Sequence, residues 1–205
     1  MTKQLLLIDG NSIVFRAFFA MHNQMDKFTN KDGLHTAAIY GFKLMLDHVL
    51  QNFKPDTALV AFDAGKVTFR TKMYDDYKGG RNKTPNELTE QIPYVRELIK
   101  DSGLHSYELA NYEADDIIGT LAKQADDAGY KTLIVTGDRD LTQLASENTT
   151  VAVTHKGVTD TEHYTPAHVE EKLGITPRQI IDMKALMGDS SDNYPGVTKI
   201  GEKTA

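Results

Sequence analysis

The 205-residue sequence has no cysteine and no tryptophan. The missing cysteine removes disulfides, zinc–thiolate sites and thiol catalysis together, so any bound metal must be held by oxygen or imidazole. No apolar run approaches the roughly 20 residues a membrane helix needs. The opening residues lead straight into an apolar strand rather than a signal peptide, so a soluble cytoplasmic protein is the expectation. There is no Gly-x-Ser-x-Gly elbow and no Walker A loop. Hydrophobic residues make up 40% of the chain, enough for one domain with a full core or one domain plus a small appendage; two complete domains are not expected.

A shortage of positive charge is the remaining deficit. The formal net charge is −6, from 23 basic and 29 acidic residues, which argues against a protein that neutralises phosphates. That objection depends on where the acids sit. If Asp9, Asp63, Glu113, Asp115, Asp116, Asp138, Asp140, Asp189 and Asp192 form one group, 20 acids remain against 23 bases. The rest of the surface is then slightly basic around an acidic pit, and bound cations would offset the pit itself.

Three apolar runs share a plan. Leu5-Leu6-Leu7-Ile8 ends on Asp9, Thr57 to Phe62 ends on Asp63, and Lys131 to Gly137 ends on Asp138. Each predicts a strand buried on both faces. Helical patterns over Thr36 to Phe53, Asn86 to Ser102 and Tyr112 to Ala128 lie between them, so the alternation predicts an α/β fold with a mostly parallel central sheet flanked by helices. Thr84-Pro85-Asn86-Glu87 has the pattern of a capping box, and Thr165-Pro166 and Thr176-Pro177 predict further helix starts. Gly103, Gly129, Gly174 and Gly188 fall where C-terminal caps belong, and Pro93 is expected to kink its helix. The stretch Gly65 to Thr84 is polar, basic and broken by Gly79-Gly80; it predicts a mobile excursion from the sheet.

Carboxylates carry the chemical signal. In open α/β sheets ligands bind at the carboxyl ends of the strands, so Asp9, Asp63 and Asp138 should converge. Any one of them could equally be an ordinary turn Asp; three together are harder to dismiss. Glu113, Asp115 and Asp116 open a helix, where the macrodipole favours an acid or two but self-repulsion opposes three. A cation would remove that repulsion. Asp138-Arg139-Asp140 and Asp189-Ser190-Ser191-Asp192 add further pairs, each weak alone. Mg²⁺ prefers octahedral oxygen coordination, and two ions roughly 4 Å apart assist in-line displacement at phosphorus without a covalent nucleophile.

With those residues in place, the ordered series Leu6-Leu7-Ile8-Asp9-Gly10-Asn11, Phe62-Asp63-Ala64, Tyr77-Lys78-x-x-Arg81, Glu113-Ala114-Asp115-Asp116-Ile117-Ile118-Gly119-Thr120, Thr136-Gly137-Asp138-Arg139-Asp140 and Leu186-Met187-Gly188-Asp189-Ser190-Ser191-Asp192-Asn193 resembles the 5′-nuclease domain of the bacterial polymerase I family, within the flap endonuclease superfamily. The resemblance implies a helical arch at about 65–103 in an α/β nuclease domain at 1–185. It implies hydrolysis of DNA and primer-RNA phosphodiesters in replication and repair, on 5′-flap, nicked or primer-bearing duplex DNA. It assigns Asp9, Asp63, Glu113 and Asp115 to one Mg²⁺ and Asp138, Asp140 and Asp192 to a second, with Mn²⁺ as a possible substitute. Asp115 would bridge the two, and Asp116 and Asp189 would contribute through water or through other ligands, Asp116 in a catalytic role. Lys78 and Arg81 are implied as the catalytic cations on the scissile phosphate, with Tyr77 and Arg16 as further DNA contacts. Residues 186–205 resemble the start of a helix-hairpin-helix-like duplex-binding element, implicating Gly196, Gly201, Lys203 and a K⁺ ion. Against that family pattern the chain is expected to be a fragment, ending inside this element and lacking a downstream polymerase region.

Other classes compete on the residues alone. Tyr77 to Arg81 could be a solvated basic loop, and Arg16 a plain surface residue on a helix. A phosphatase of the haloacid dehalogenase type needs Asp-x-Asp after its first strand, and Asp9-Gly10-Asn11 lacks the second acid; a receiver domain fails likewise. A branched-DNA-binding module without catalysis is the alternative from a different class, and the complete carboxylate series argues against it.

Overall fold

The computed structural model describes residues 2–21, 27–157 and 159–205. A six-stranded sheet runs β3 (His105–Tyr107), β2 (Thr57–Ala61), β1 (Gln4–Asp9), β4 (Lys131–Thr136), β5 (Thr149–Lys156), β6 (Asp160–Tyr164). All neighbours are parallel except β5 and β6. The three apolar runs become β1, β2 and β4, adjacent at the centre. Sequence patterning missed β3, which is three exposed residues at an edge, and it did not single out β5 and β6.

Alternation along the strands sorts side chains onto two faces. Leu6, Ile8, Val60, Leu133 and Val135 pack against Ile13, Phe18, Phe42, Met45 and Ile99 from α1 (Gly10–Met21), α2 (Ala37–Phe53) and α5 (Ile92–Asp101). Leu7, Ala61, Ile134, Val151 and Val153 face the other way, onto Ile117, Ile118, Leu141, Val169 and Ile180. Those come from α6 (Ala114–Asp127), a 3-10 turn (Arg139–Leu144), α7 (Pro166–Leu173) and α8 (Gln179–Met187). Two cores on one sheet make a three-layer α/β/α structure. No helix among the described residues is long and apolar enough to cross a membrane.

Several helix boundaries differ from expectation for identifiable reasons. The pattern from Asn86 to Ser102 divides into α4 (Asn86–Thr89) and α5. Pro93 does not kink a helix; it sits in the first turn of α5, where its missing N–H costs nothing. Gln91 sits at the break, fully buried, its Oε1 accepting from Ala38 N at 2.8 Å and its amide donating to Glu87 O. It thereby caps α2, a duty Thr36 does not perform. Thr84 is not the cap of α4 either, since Pro85 takes that position without a side-chain bond. Thr165 does cap α7, and Gly103, Gly129, Gly174 and Gly188 all have positive φ.

Gly65 to Thr84 is more ordered than its composition suggests. It contains α3 (Phe69–Met73) and is tied back by Lys78 N donating to Asp192 O at 2.9 Å and by Asn193 Nδ2 donating to Asp76 O. Downstream, β7 (Gly188–Asp189) pairs with β8 (Tyr194–Pro195). A Cβ on Gly188 would lie 2.4 Å from Gly196 N, and one on Gly196 would lie 2.3 Å from the Met187 carbonyl carbon. Only glycine fits at either place.

Candidate active site

The strand order reverses between β1 and β4, since β2 and β3 lie to one side of β1 and β4 to β6 to the other. A crevice is left there at the carboxyl edge. Asp9 ends β1, Asp138 follows β4 by two residues, and Asp63 follows β2 by two. The expected convergence of these three on one sheet edge is therefore what the topology produces.

Asp9 is the most enclosed of them. Its Oδ1 accepts from Ser12 N at 3.0 Å and its Oδ2 from the Thr136 hydroxyl at 2.8 Å. Burial pushes its carboxyl up to about 6; the two hydrogen bonds oppose this, and the charges of Asp63 and Asp138 add to it. Asp63 accepts from Asn11 Nδ2 and from Ala114 N at 2.8 Å, so it sits against the start of α6. Asp138 accepts from Asp140 N at 2.8 Å, which closes the 3-10 turn. Asp115, on the first turn of α6, is pushed up to about 8 by burial and then by the charges of Asp9, Asp138 and Asp63, with Lys78 opposing. Four carboxylates thus repel one another across the switch point.

The remaining acids are held by cations. Glu113 is the N-cap of α6 rather than its first residue, and it accepts from Lys78 Nζ at 2.9 Å and the Tyr77 hydroxyl at 2.9 Å. Arg81 reaches Asp192 Oδ1 and Ser191 O. Lys184 on α8 lies 2.8 Å from Asp140 and 2.6 Å from Asp189. Burial raises the Asp140 carboxyl despite Lys184; at Asp189, Lys184 and Ser191 outweigh burial and lower it. The nine acids form a mutually repelling centre with two cation-bridged wings. Among the described residues no three of them already stand as a ready-made coordination shell.

Two of the expected site residues make structural contacts that the sequence does not show. Asp116 was expected in a catalytic role, but its carboxylate is taken by a two-pronged pair with Arg70 at 2.7 and 2.8 Å and by Glu113 N at 2.9 Å. The Arg70 bonds hold it below its ordinary range against burial. It orients the helix start that presents Glu113 and Asp115. Tyr77, expected as a DNA contact, is buried, the residue 8% exposed, and its hydroxyl also lies 3.2 Å from Asp192 Oδ2. It is a strut between carboxylates.

Arg16 reaches His155 O at 3.4 Å beside Gly137, which precedes Asp138 and whose N–H donates to the Ser12 hydroxyl. Gly196 has a packing role, as described above. Gly201 is open, its carbonyl accepting from Thr204 and Ala205 N in a single turn, and Lys203 is exposed. Sequence reasoning missed Arg70, Lys184, Ser12 and Thr136. Arg70 lies in the basic stretch and Thr136 opens one of the motifs, though neither had a role; nothing distinguishes Ser12 and Lys184 from ordinary polar residues until the chain folds.

The donor set fits a hard divalent cation. It is all oxygen, it leaves Asp115 without a hydrogen-bond donor to either oxygen in the described contacts, and its centre carries repulsion that positive charge would relieve.

Comparison with known proteins gives the same family along the whole chain. Residues 4–174 match the 5′-3′ exonuclease N-terminal resolvase-like domain and residues 175–205 the 5′-3′ exonuclease C-terminal SAM fold. The DNA polymerase I of Streptococcus pneumoniae strain R6 is 61% identical over 202 residues, which is 98% of this chain and 23% of that protein. The chain therefore spans about a quarter of the length of the curated relatives it matches. Among solved structures, T5 5′-exonuclease with bound zinc superposes with a TM-score of 0.76 at 23% identity, covering 98% of this chain and 73% of that one. A bacteriophage T5 flap endonuclease in a pseudo-enzyme–product complex with DNA and metal ions superposes with a TM-score of 0.77 at 24% identity, covering 98% and 72%. These likenesses establish the same fold. The chain belongs to the 5′-3′ exonuclease family, residues 4–174 in its N-terminal resolvase-like domain and residues 175–205 in its C-terminal SAM fold.

Proposed function

We propose that this chain is a metal-dependent, structure-specific 5′-nuclease. Its substrates are phosphodiesters of 5′-flap, nicked or primer-bearing duplex DNA, with DNA or primer RNA in the displaced strand, and it acts in replication and repair. The observation that carries this reading is the meeting of Asp9, Asp63, Asp115 and Asp138 at the switch point of a parallel sheet, where burial and mutual repulsion push Asp9 and Asp115 upward. Such a site is poorly suited to remain anionic and well suited to gain positive charge.

Asp9, Asp63, Glu113 and Asp115 would hold one Mg²⁺, and Asp138, Asp140 and Asp192 a second, with Mn²⁺ able to substitute; Asp189 would act through water. When bound, the ions supply Lewis acidity and charge neutralisation for in-line displacement at phosphorus. The chain's own residues do the rest. Ser12, Thr136, Asn11 and Ala114 N hold Asp9 and Asp63 in fixed orientation. Lys78 and Arg81, resting on Glu113 and Asp192, would turn to the scissile phosphate. There they would stabilise charge that grows in the transition state. Arg16 is assigned to a phosphate near the active site and Gly201 and Lys203 to duplex phosphates further off, with a K⁺ ion at the 186–205 segment.

The deciding experiment is cleavage of a labelled 5′-flap duplex by this chain with Mg²⁺, with chelator, and with Asp115→Asn. Metal-dependent product that the variant fails to form supports the reading. Tight flap binding with no product in Mg²⁺ or Mn²⁺ overturns it in favour of a binding module.

A further inference from the structure

Beside the carboxylate edge lies an apolar strip that neither core uses. Phe69 and Met73 occupy positions i and i+4 of α3 and share a face. The ring of Tyr112 lies 5.8 Å from that of Phe69. Phe69 is 37% exposed, Tyr112 44% and Met73 82%. The strip is built rather than incidental: Phe69 N donates to Asn111 O at 3.0 Å, and Lys72 Nζ donates to Asn111 Oδ1 at 2.7 Å. Asn111 itself has φ of 70°, a left-handed conformation that asparagine tolerates better than most residues. The Arg70 guanidinium lies 4.5 Å over the Phe69 ring while gripping Asp116, so the ring is orientated by the same residue that sets the start of α6.

Charge and position narrow the occupant. From residue 66 to 74 the only charged side chains are Lys66, Arg70 and Lys72, and Tyr112 immediately precedes Glu113. Exposed aromatics interleaved with cations, one residue from a carboxylate centre that acts on phosphodiesters, suit an unpaired nucleic-acid strand: bases on the rings, phosphates on the lysines.

We propose that Phe69 and Tyr112, extended by Met73, form a stacking platform for one or two unpaired bases of a single-stranded nucleic acid at the mouth of the carboxylate cleft. The proposal rests on the nuclease reading for its substrate class. It adds a base-binding subsite that recognises π-faces without regard to sequence. The platform holds the strand by its bases, whereas Lys78 and Arg81 act on its phosphates.

The test is fluorescence anisotropy at low salt in chelator, comparing a labelled ten-nucleotide oligothymidylate with an abasic strand of equal length and charge. The unaltered chain should bind the base-bearing strand about tenfold more tightly, the scale of one stacked base. Phe69→Leu and Tyr112→Leu should each bring that ratio close to one with abasic affinity unchanged, while Tyr112→Phe should preserve it. Matching thermal melts confirm that the leucine variants fold. No base preference in the unaltered chain, or a preference that survives both leucine variants, overturns the platform. So does a concentration-dependent dimer dissolved by Phe69→Leu, because the strip is then a self-contact. Flap cleavage by the unaltered chain is measured separately in Mg²⁺. None of the platform variants enters that measurement, so it reports on the nuclease reading alone.

Discussion

The hydroxyl of Tyr77 lies 2.9 Å from Glu113 Oε2 and 3.2 Å from Asp192 Oδ2, so one phenol proton serves two carboxylates contributed by distant parts of the chain. Burial and then those two negative charges push the phenol well above its ordinary range, and it remains a donor at any working pH. Tyr77→Phe keeps the ring and deletes the donor. The expected loss is about 1.5–3 kcal/mol, the range for a hydrogen bond to a charged group. Urea unfolding at neutral pH, with an unchanged slope, checks it.

Proton linkage makes the metal-free fold less stable as pH rises. Asp9 and Asp115 titrate near 6 and 8 in the folded chain against a usual 3.8, so between about pH 4 and pH 8 the folded state binds more protons than the unfolded one. Stability then falls with rising pH across that window. The urea midpoint of the metal-free chain should drop from pH 5 to pH 8.5, and Asp115→Asn should flatten the decline. A midpoint that climbs over this range contradicts the repulsive centre.

Divalent cations should reverse that loss by binding the folded chain preferentially. Millimolar Mg²⁺ is expected to raise the melting temperature more at pH 8 than at pH 5, because protons compete for the same carboxylates. Asp115→Asn should lose most of the shift. Differential scanning fluorimetry at the two pH values measures it; identical shifts at both would count against Asp9 and Asp115 as ligands.

Lys78 and Arg81 separate catalysis from simple attraction. Either alanine variant should lower single-turnover flap cleavage by on the order of 10²-fold and change flap affinity much less. If the two were only a basic loop, binding would weaken slightly and its salt dependence would flatten by about one phosphate contact. Near-normal cleavage by the Lys78→Ala, Arg81→Ala double variant at saturating DNA removes them from the mechanism.

Gly196→Ala tests the hairpin that carries Asp189 and Asp192. Its new Cβ would meet Met187 backbone atoms at 2.3 Å, forcing β7 and β8 apart while leaving both sheet cores untouched. Flap cleavage should fall by more than about tenfold, the size expected when groups that must be held in place are displaced, with the melting temperature little changed. Full activity would show that the hairpin does not position Asp189 and Asp192 for the reaction.

The three central strands, the helices α2 and α6, and the edge on which Asp9, Asp63 and Asp138 meet were legible in the sequence. Apolar runs long enough to be buried on both faces leave few alternatives to a parallel sheet, and carboxylates at the ends of adjacent strands must share its carboxyl edge. The short strand β3 was not legible, because three exposed residues carry no periodic signal. The break at Gln91 was not legible either, because what makes it favourable is a bond to Ala38 N on another helix. Partner choice was likewise settled only by folding. The sequence shows Asp115 and Asp116 as neighbours of equal standing, yet successive helical residues point about 100° apart. Asp115 faces the other carboxylates and is pushed upward, while Asp116 meets Arg70 and is pulled down. Composition and pattern determined the acidic edge; distance and burial in the folded chain decided which acids repel, which are paired, and where Tyr77 stands between them.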